Sequence, residues 1–164
     1  RIILKARQIG YSQIFALEAL YAAIREPNST ILLISRSQDL ATNLLRYCYL
    51  TYNGLRNAPE LIKENESEMG FPNGSRIKSI PANRSTGRGF TASRIYLDEF
   101  AYTEYGHDIY QSVSPAVSQG GILTIGSTPN GVGNLFHELY ISGKDFYRQR
   151  VPWYDCPVYY TDDE

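Results

Sequence analysis

Four short apolar runs, each bounded by turn residues, constrain this chain more than any other feature. They are RIILKA from Arg1, TILLIS over Thr30–Ser35, RIYLDEF over Arg94–Phe100 and GGILTIGS from Gly120. Runs of this length and character suit strands buried on both faces. Helix-like stretches separate them. SQIFALEALYAAIR, from Ser12 to Arg25, carries apolar residues at helical spacing and is stopped by Pro27-Asn28. Ser37 to Tyr52 reads as a second helix, on Leu40, Leu44 and Leu45. Tyr105 to Ser118 reads as a third, which Pro115 should end or kink. Asn134 to Ile141 reads as a fourth. Strands alternating with helices predict an α/β fold, a mostly parallel sheet covered by helices. LIKENESEMGF, the turn PNG and SRIKSIP predict a small β-hairpin insertion around residues 60–80. DFYRQRVPW is expected to add a last strand.

The length, 164 residues, fits one domain spanning 1–164 with a core of its own. With no initiating Met, the chain is expected to be a piece of a longer protein. No apolar run approaches the roughly 20 residues of a membrane helix, and no secretory leader opens the sequence, so a cytoplasmic setting is expected. Cys48 and Cys156 form no C-x-x-C pair and read as free thiols of a reducing compartment. A net charge of −1 excludes nucleic-acid binding by overall charge and leaves only a local basic patch for that purpose. His107 and His137 have no metal-ligand spacing to a Cys or carboxylate cluster. The carboxylates Asp162 to Glu164 are contiguous, so they do not form a nuclease triad, whose members converge from different elements.

Chemistry concentrates where strands end. KARQIGYS, Lys5 to Ser12, nearly matches the phosphate loop G-x-x-x-x-G-K-[ST], but Lys5 replaces the first glycine and Tyr11 stands where the lysine belongs. A strand, a small-residue turn and a helix form the setting in which backbone N–H groups cradle phosphate. Gly10 permits close approach, and Ser12 can offer its hydroxyl to Mg²⁺. The cation that meets the phosphates is either Lys5, reaching across the loop, or Arg7, with its bidentate fork. By itself the stretch also reads as a plain turn before a helix.

RIYLDEF delivers Asp98 and Glu99 at the end of a strand, where open α/β sheets bind ligands. In phosphoryl transfer to water, one carboxylate supports the metal and the next activates the water, roles that suit Asp98 and Glu99 in that order. ILTIGSTPNGVG ends a strand in Ser127 and Thr128, followed by the turn Pro129-Asn130-Gly131; polar groups at such a tip can sense a γ-phosphate. ANRSTGRGF places Arg84 and Arg88 in a Gly-rich connector, either able to serve as an arginine finger, in cis or into a neighbouring subunit.

In this order, the motifs resemble the ATPase domain of the large terminase subunit, the motor that packages DNA into tailed-phage capsids. KARQIGYS is similar to its Walker A loop, IYLDEFA to Walker B, GSTPNG with GNLFHELY to its coupling region, and GRGF to its arginine segment. The likeness spans Lys5 to about Tyr140 and looks greatest to the Mu-type and related branches. It implies an additional-strand P-loop NTPase fold that hydrolyses ATP with Mg²⁺. Some members have a deviant Walker A, with the lysine ahead of the loop and an aromatic before the serine, which implies that Lys5 replaces the missing lysine. Lys5, Arg7, Gln8, Gly10, Tyr11 and Ser12 would then bind ATP, and Ser12 with Asp98 would hold Mg²⁺. Glu99 would be the catalytic base. Ser127, Thr128 and Asn130 would couple hydrolysis to movement, with Arg88 the preferred trans finger and Arg84 the second choice. The implied partners are double-stranded DNA, the small terminase subunit, the portal protein and copies of the chain itself in a ring, in the host cytoplasm. The family's adenine-binding segment before the loop and its nuclease domain after the ATPase would lie outside the 164 residues. Two other functions fit the same residues: a helicase-like DNA-dependent ATPase, and a degenerate P-loop domain that binds DNA or a partner without hydrolysis.

Overall fold

The computed structural model describes residues 1–87 and 89–156; Arg88 and the carboxylates Asp162 to Glu164 lie outside the described residues. Each of the four apolar runs is a strand: β1 (Ile2–Lys5), β2 (Thr30–Ser35), β6 (Arg94–Asp98) and β7 (Ile122–Ser127). Three shorter strands precede β6, namely β3 (Lys63–Glu64), β4 (Glu68–Gly70) and β5 (Arg76–Pro81), and β8 (Arg148–Val151) comes last. They form one sheet in the order β3-β4-β5-β2-β6-β7-β1-β8. From β5 to β8 every pairing is parallel, while β3 and β4 are antiparallel. One strand, β7, separates β1 from β6, the spacing that defines the additional-strand arrangement.

The expected hairpin around residues 60–80 is present, and it is continuous with the central sheet. β4 and β5 do form an antiparallel hairpin around the turn at 71–75, but β5 also pairs in parallel with β2 along all six of its residues. It is a member of the central sheet, and only β3 and β4 extend beyond it.

Four helices cover the two faces: α1 (Tyr11–Arg25), α2 (Gln38–Asn53), α3 (Gly106–Ser118) and α4 (Leu135–Ser142). Alternation along the strands decides which face each residue serves. Ile3, Ile31, Leu33 and Tyr96 pack with Phe15, Ala19, Leu44 and Leu45 of α1 and α2. Ile2, Leu32, Ile34, Ile95 and Ile125 pack with Ile109, Val113 and Phe136 of α3 and α4. Pro115 does not end α3, which runs to Ser118. A proline in the last turn forfeits one hydrogen bond only, and the stop comes at Gly120, with φ +93°.

Gly126 fixes how closely α1 lies on the sheet. A Cβ there would stand 2.6 Å from the Phe15 ring, which is wholly buried and 5.5 Å from the Tyr96 ring centroid.

Candidate functional site

At the carboxyl edge of the sheet, the turn at 6–10 carries the chain from β1 into α1. Gly10 caps the helix with φ +79°, and Gln8 also takes a left-handed conformation, with φ +55°. This helix start is bare: no side chain caps it and no acidic residue occupies its first turn. By contrast, Ser37 caps α2 beside Asp39, and Asn134 caps α4 beside Glu138. The first amides of α1 and the positive end of its dipole therefore find no anionic partner on their own helix, which suits a phosphate. A cavity of about 590 Å³ lies over this turn, lined by Lys5, Gln8 to Gln13, Tyr47 and Glu99.

Lys5, Asp98 and Glu99 meet here. Lys5 is 5 % exposed, and its Nζ donates to Glu99 Oε1 at 2.7 Å and stands 4.0 Å from Asp98 Oδ1. The Ser12 hydroxyl donates to Asp98 Oδ2 at 2.6 Å, and the Glu99 amide to Asp98 Oδ1 at 3.1 Å. Glu99 itself has φ +53°, a left-handed conformation rare outside glycine and asparagine, at the turn where β6 stops. The Thr128 hydroxyl donates to Glu99 Oε2 at 3.0 Å, and its amide lies 3.4 Å from the same oxygen.

The two carboxyls are driven in opposite directions. Burial pushes Asp98 above the usual carboxylate range, and the Ser12 hydroxyl and the Lys5 charge only partly offset it. Burial also acts on Glu99, but there the hydrogen bond and charge of Lys5, with the Thr128 donors, outweigh it and hold the carboxyl below its ordinary value. Asp98 is thus a buried carboxylate short of positive charge, with a serine hydroxyl against it. Those donors fit a hard divalent cation that keeps most of its ligands as water and phosphate oxygen.

Ser127 accepts from the Ala101 amide at 3.1 Å and donates to the Thr128 carbonyl at 2.8 Å, facing away from the cavity. Asn130 donates to the Ala101 carbonyl at 3.0 Å, tying the turn after β7 to the segment after Glu99. Tyr11 opens α1, its ring edge-on to Phe15 and its hydroxyl accepting from Gln149 of β8 at 2.8 Å. Arg7 does not line the cavity; its guanidinium reaches the Tyr102 hydroxyl at 3.4 Å. Arg84 lies over the Tyr105 ring, 5.3 Å from its centroid. Arg88 is outside the described residues.

Tyr102 was missed by the sequence reading. Its hydroxyl donates to the Pro129 carbonyl at 3.0 Å, sits 3.3 Å from the Thr128 hydroxyl, and its ring carries Arg36 at 5.5 Å. It links the loop before α1 to the tip of β7. Its only sequence signal is its place three residues after Glu99, among fourteen tyrosines.

The sequence matches the family described as "Terminase large subunit, T4likevirus-type, N-terminal" over residues 2–145, most of the chain. The chain belongs to the large terminase subunit family. Solved structures share its fold. The ATPase domain of the Thermus phage P74-26 large terminase superposes with a TM-score of 0.71 at 19 % identity, covering 93 % of this chain and 74 % of that one. The bacteriophage HK97 large terminase gives 0.72 at 17 %, over 93 % of this chain and 35 % of that one. The large terminase of a thermophilic bacteriophage, in complex with ADP, gives 0.72 at 11 %, over 92 % of this chain and 39 % of that one. This chain thus spans well under half the length of the latter two proteins. The fold is that of a terminase ATPase domain, a P-loop NTPase fold. The family match is to the T4-like type and carries neither the Mu-type branch nor the displaced-lysine form of the loop. No helix among the described residues is long and apolar enough to cross a membrane.

Proposed function

We propose that this terminase domain binds and hydrolyses ATP with Mg²⁺ to drive double-stranded DNA into a procapsid, acting in a ring with the portal and the small terminase subunit. The observation that carries the chemistry is the convergence of Lys5, Asp98, Glu99 and Thr128 beside an uncapped helix start. Of the two cations in the loop, Lys5 is the one lining the cavity, which supports the displaced-lysine reading.

Lys5 and the first amides of α1 would hold the β- and γ-phosphates, with Gln8, Gly10 and Tyr11 shaping the loop. Ser12 and Asp98 would hold the cation, which supplies neutralisation of phosphate charge when bound. Water attacks the γ-phosphorus, the bond to the bridging oxygen breaks, and Glu99, kept ionised, takes the water's proton. Thr128, bonded to Glu99 and joined to Asn130 by the turn, would pass the loss of the γ-phosphate toward the segment 99–102.

The test is nucleotide binding and turnover in the full-length protein. Glu99→Gln should bind ATP normally and lose turnover by about 10²–10⁴-fold. Lys5→Ala should bind ATP and ADP weakly. Undiminished hydrolysis without Glu99 would remove its role as base. Unchanged affinity without Lys5, with Arg7→Ala defective instead, would move the cation to Arg7.

A further inference from the structure

Four adjacent strands, β2, β6, β7 and β1 in spatial order, each bring a buried polar residue to the same edge of the sheet, at the strand's last residue or just past it: Ser35, Asp98, Thr128 and Lys5. Ser35 stands opposite Asp98 in the parallel register of β2 and β6. Two residues earlier on each strand, Leu33 and Tyr96 face the α1–α2 core, so Ser35 and Asp98 point to that same side. That is the side on which the phosphate loop lies.

Lys5, Asp98 and Thr128 each have hydrogen-bond partners within the site. Ser35 does not. It is 1 % exposed, and its Oγ is a buried polar atom without a hydrogen-bond partner among the described residues. A buried hydroxyl left unpaired is disfavoured, and such atoms are rare in folded proteins. One strand away in the same layer, the Ser79 hydroxyl of β5 donates to the Ala41 carbonyl, so a serine here can find a backbone acceptor on α2. Two other atoms of this kind, Ser29 Oγ and Arg1 Nε, belong to residues that precede β2 and β1, at the opposite edge of the sheet.

Asp98 explains what Ser35 lacks. One carboxylate oxygen takes the Ser12 hydroxyl and the other the Glu99 amide, and Ser35 bonds to neither. A Mg²⁺ ion held by one hydroxyl and one carboxylate keeps several of its waters. We propose that Ser35 is a positioning residue of the metal site, its hydroxyl accepting a hydrogen bond from a water of the cation's shell beside Asp98. This rests on the Mg²⁺–nucleotide reading above, and adds to it a residue from a strand that bears no phosphate-loop, Walker B or coupling motif.

The experiment is calorimetric ADP binding to the full-length protein, with and without Mg²⁺, together with the melting temperature of the nucleotide-free protein. Ser35→Ala should leave the nucleotide-free melting temperature and the metal-free ADP affinity unchanged, because no bond is lost in that state. Its Mg²⁺-dependent gain in ADP affinity should fall by on the order of tenfold, as for other outer-shell partners of metals, and Ser35→Thr should restore it. If Ser35→Ala keeps the whole gain, the proposal is overturned while the underlying reading stands. If the alanine variant melts lower and threonine does not restore the gain, Ser35 is a packing residue and the proposal is likewise overturned. A wild-type protein with no Mg²⁺-dependent gain would remove the reading itself.

Discussion

The Asp98 carboxyl carries a cost that its neighbours do not fully relieve, since burial outweighs the Ser12 hydrogen bond and the Lys5 charge. A carboxyl whose folded pKa is raised favours folding only where it is protonated, and the benefit is lost as pH rises through that folded value. At neutral pH, without a cation, ionised Asp98 therefore opposes folding. Asp98→Asn should raise the nucleotide-free melting temperature at pH 7, the gain shrinking toward zero as pH falls below the ordinary aspartate range of about 4. The same variant should lose the stabilisation that Mg²⁺ with ADP gives the wild type. Thermal melts across pH, with and without ligand, check both halves; a variant less stable than wild type at pH 7 would refute the electrostatic account. Glu99 shows the reverse sign, its depressed pKa contributing stability above its unfolded value that is lost as pH falls through the folded one. Side by side in the sequence, the two carboxylates give no sign of these opposite shifts; burial raises Asp98, while Lys5 of β1 and Thr128, just past β7, hold Glu99 down. That is why DE could be read as a pair with two roles, yet the Lys5–Glu99 contact and the Tyr102 link could not.

At the scale of elements, β1, β2, β6 and β7 were legible because strands buried on both faces need continuous apolar runs, and few other segments of this chain have them. The four helices were legible to within a residue or two, two of their starts marked by Ser37 and Asn134, whose side chains accept from the Leu40 and His137 amides. What stayed hidden was pairing. SRIKSIP reads as one arm of a hairpin, and nothing in its own alternation tells that its other edge joins β2 in parallel. Nor does the sequence tell that Gly126 is a contact: the α1–β7 approach depends on Phe15, more than a hundred residues away. Gly126→Ala should therefore destabilise the protein by about 1–3 kcal/mol through overpacking against a ring with no room to turn. Denaturant unfolding measures it. Phe15→Leu combined with Gly126→Ala should recover part of the loss, and equal, additive losses would argue that the two do not touch.

The whole assembly is where Arg88 has to be judged. Gly87 and Gly89, in the connector before β6, take left-handed backbone, with φ +90° and +76°. Arg84, the second choice, lies over the Tyr105 ring. If Arg88 is a finger acting across a ring interface, each site is a joint property of two subunits, with Glu99 from one and Arg88 from the next. Arg88→Ala and Glu99→Gln should each abolish hydrolysis alone. Mixed in equal amounts and assembled, they should regain activity, because an intact Glu99 meets an intact Arg88 at about a quarter of the interfaces of a randomly mixed ring. Steady-state hydrolysis of the mixture under packaging conditions reads this directly. If Arg88 instead serves its own subunit's phosphates, no pairing of the two variants rebuilds a site, and the mixture stays as inactive as its parts.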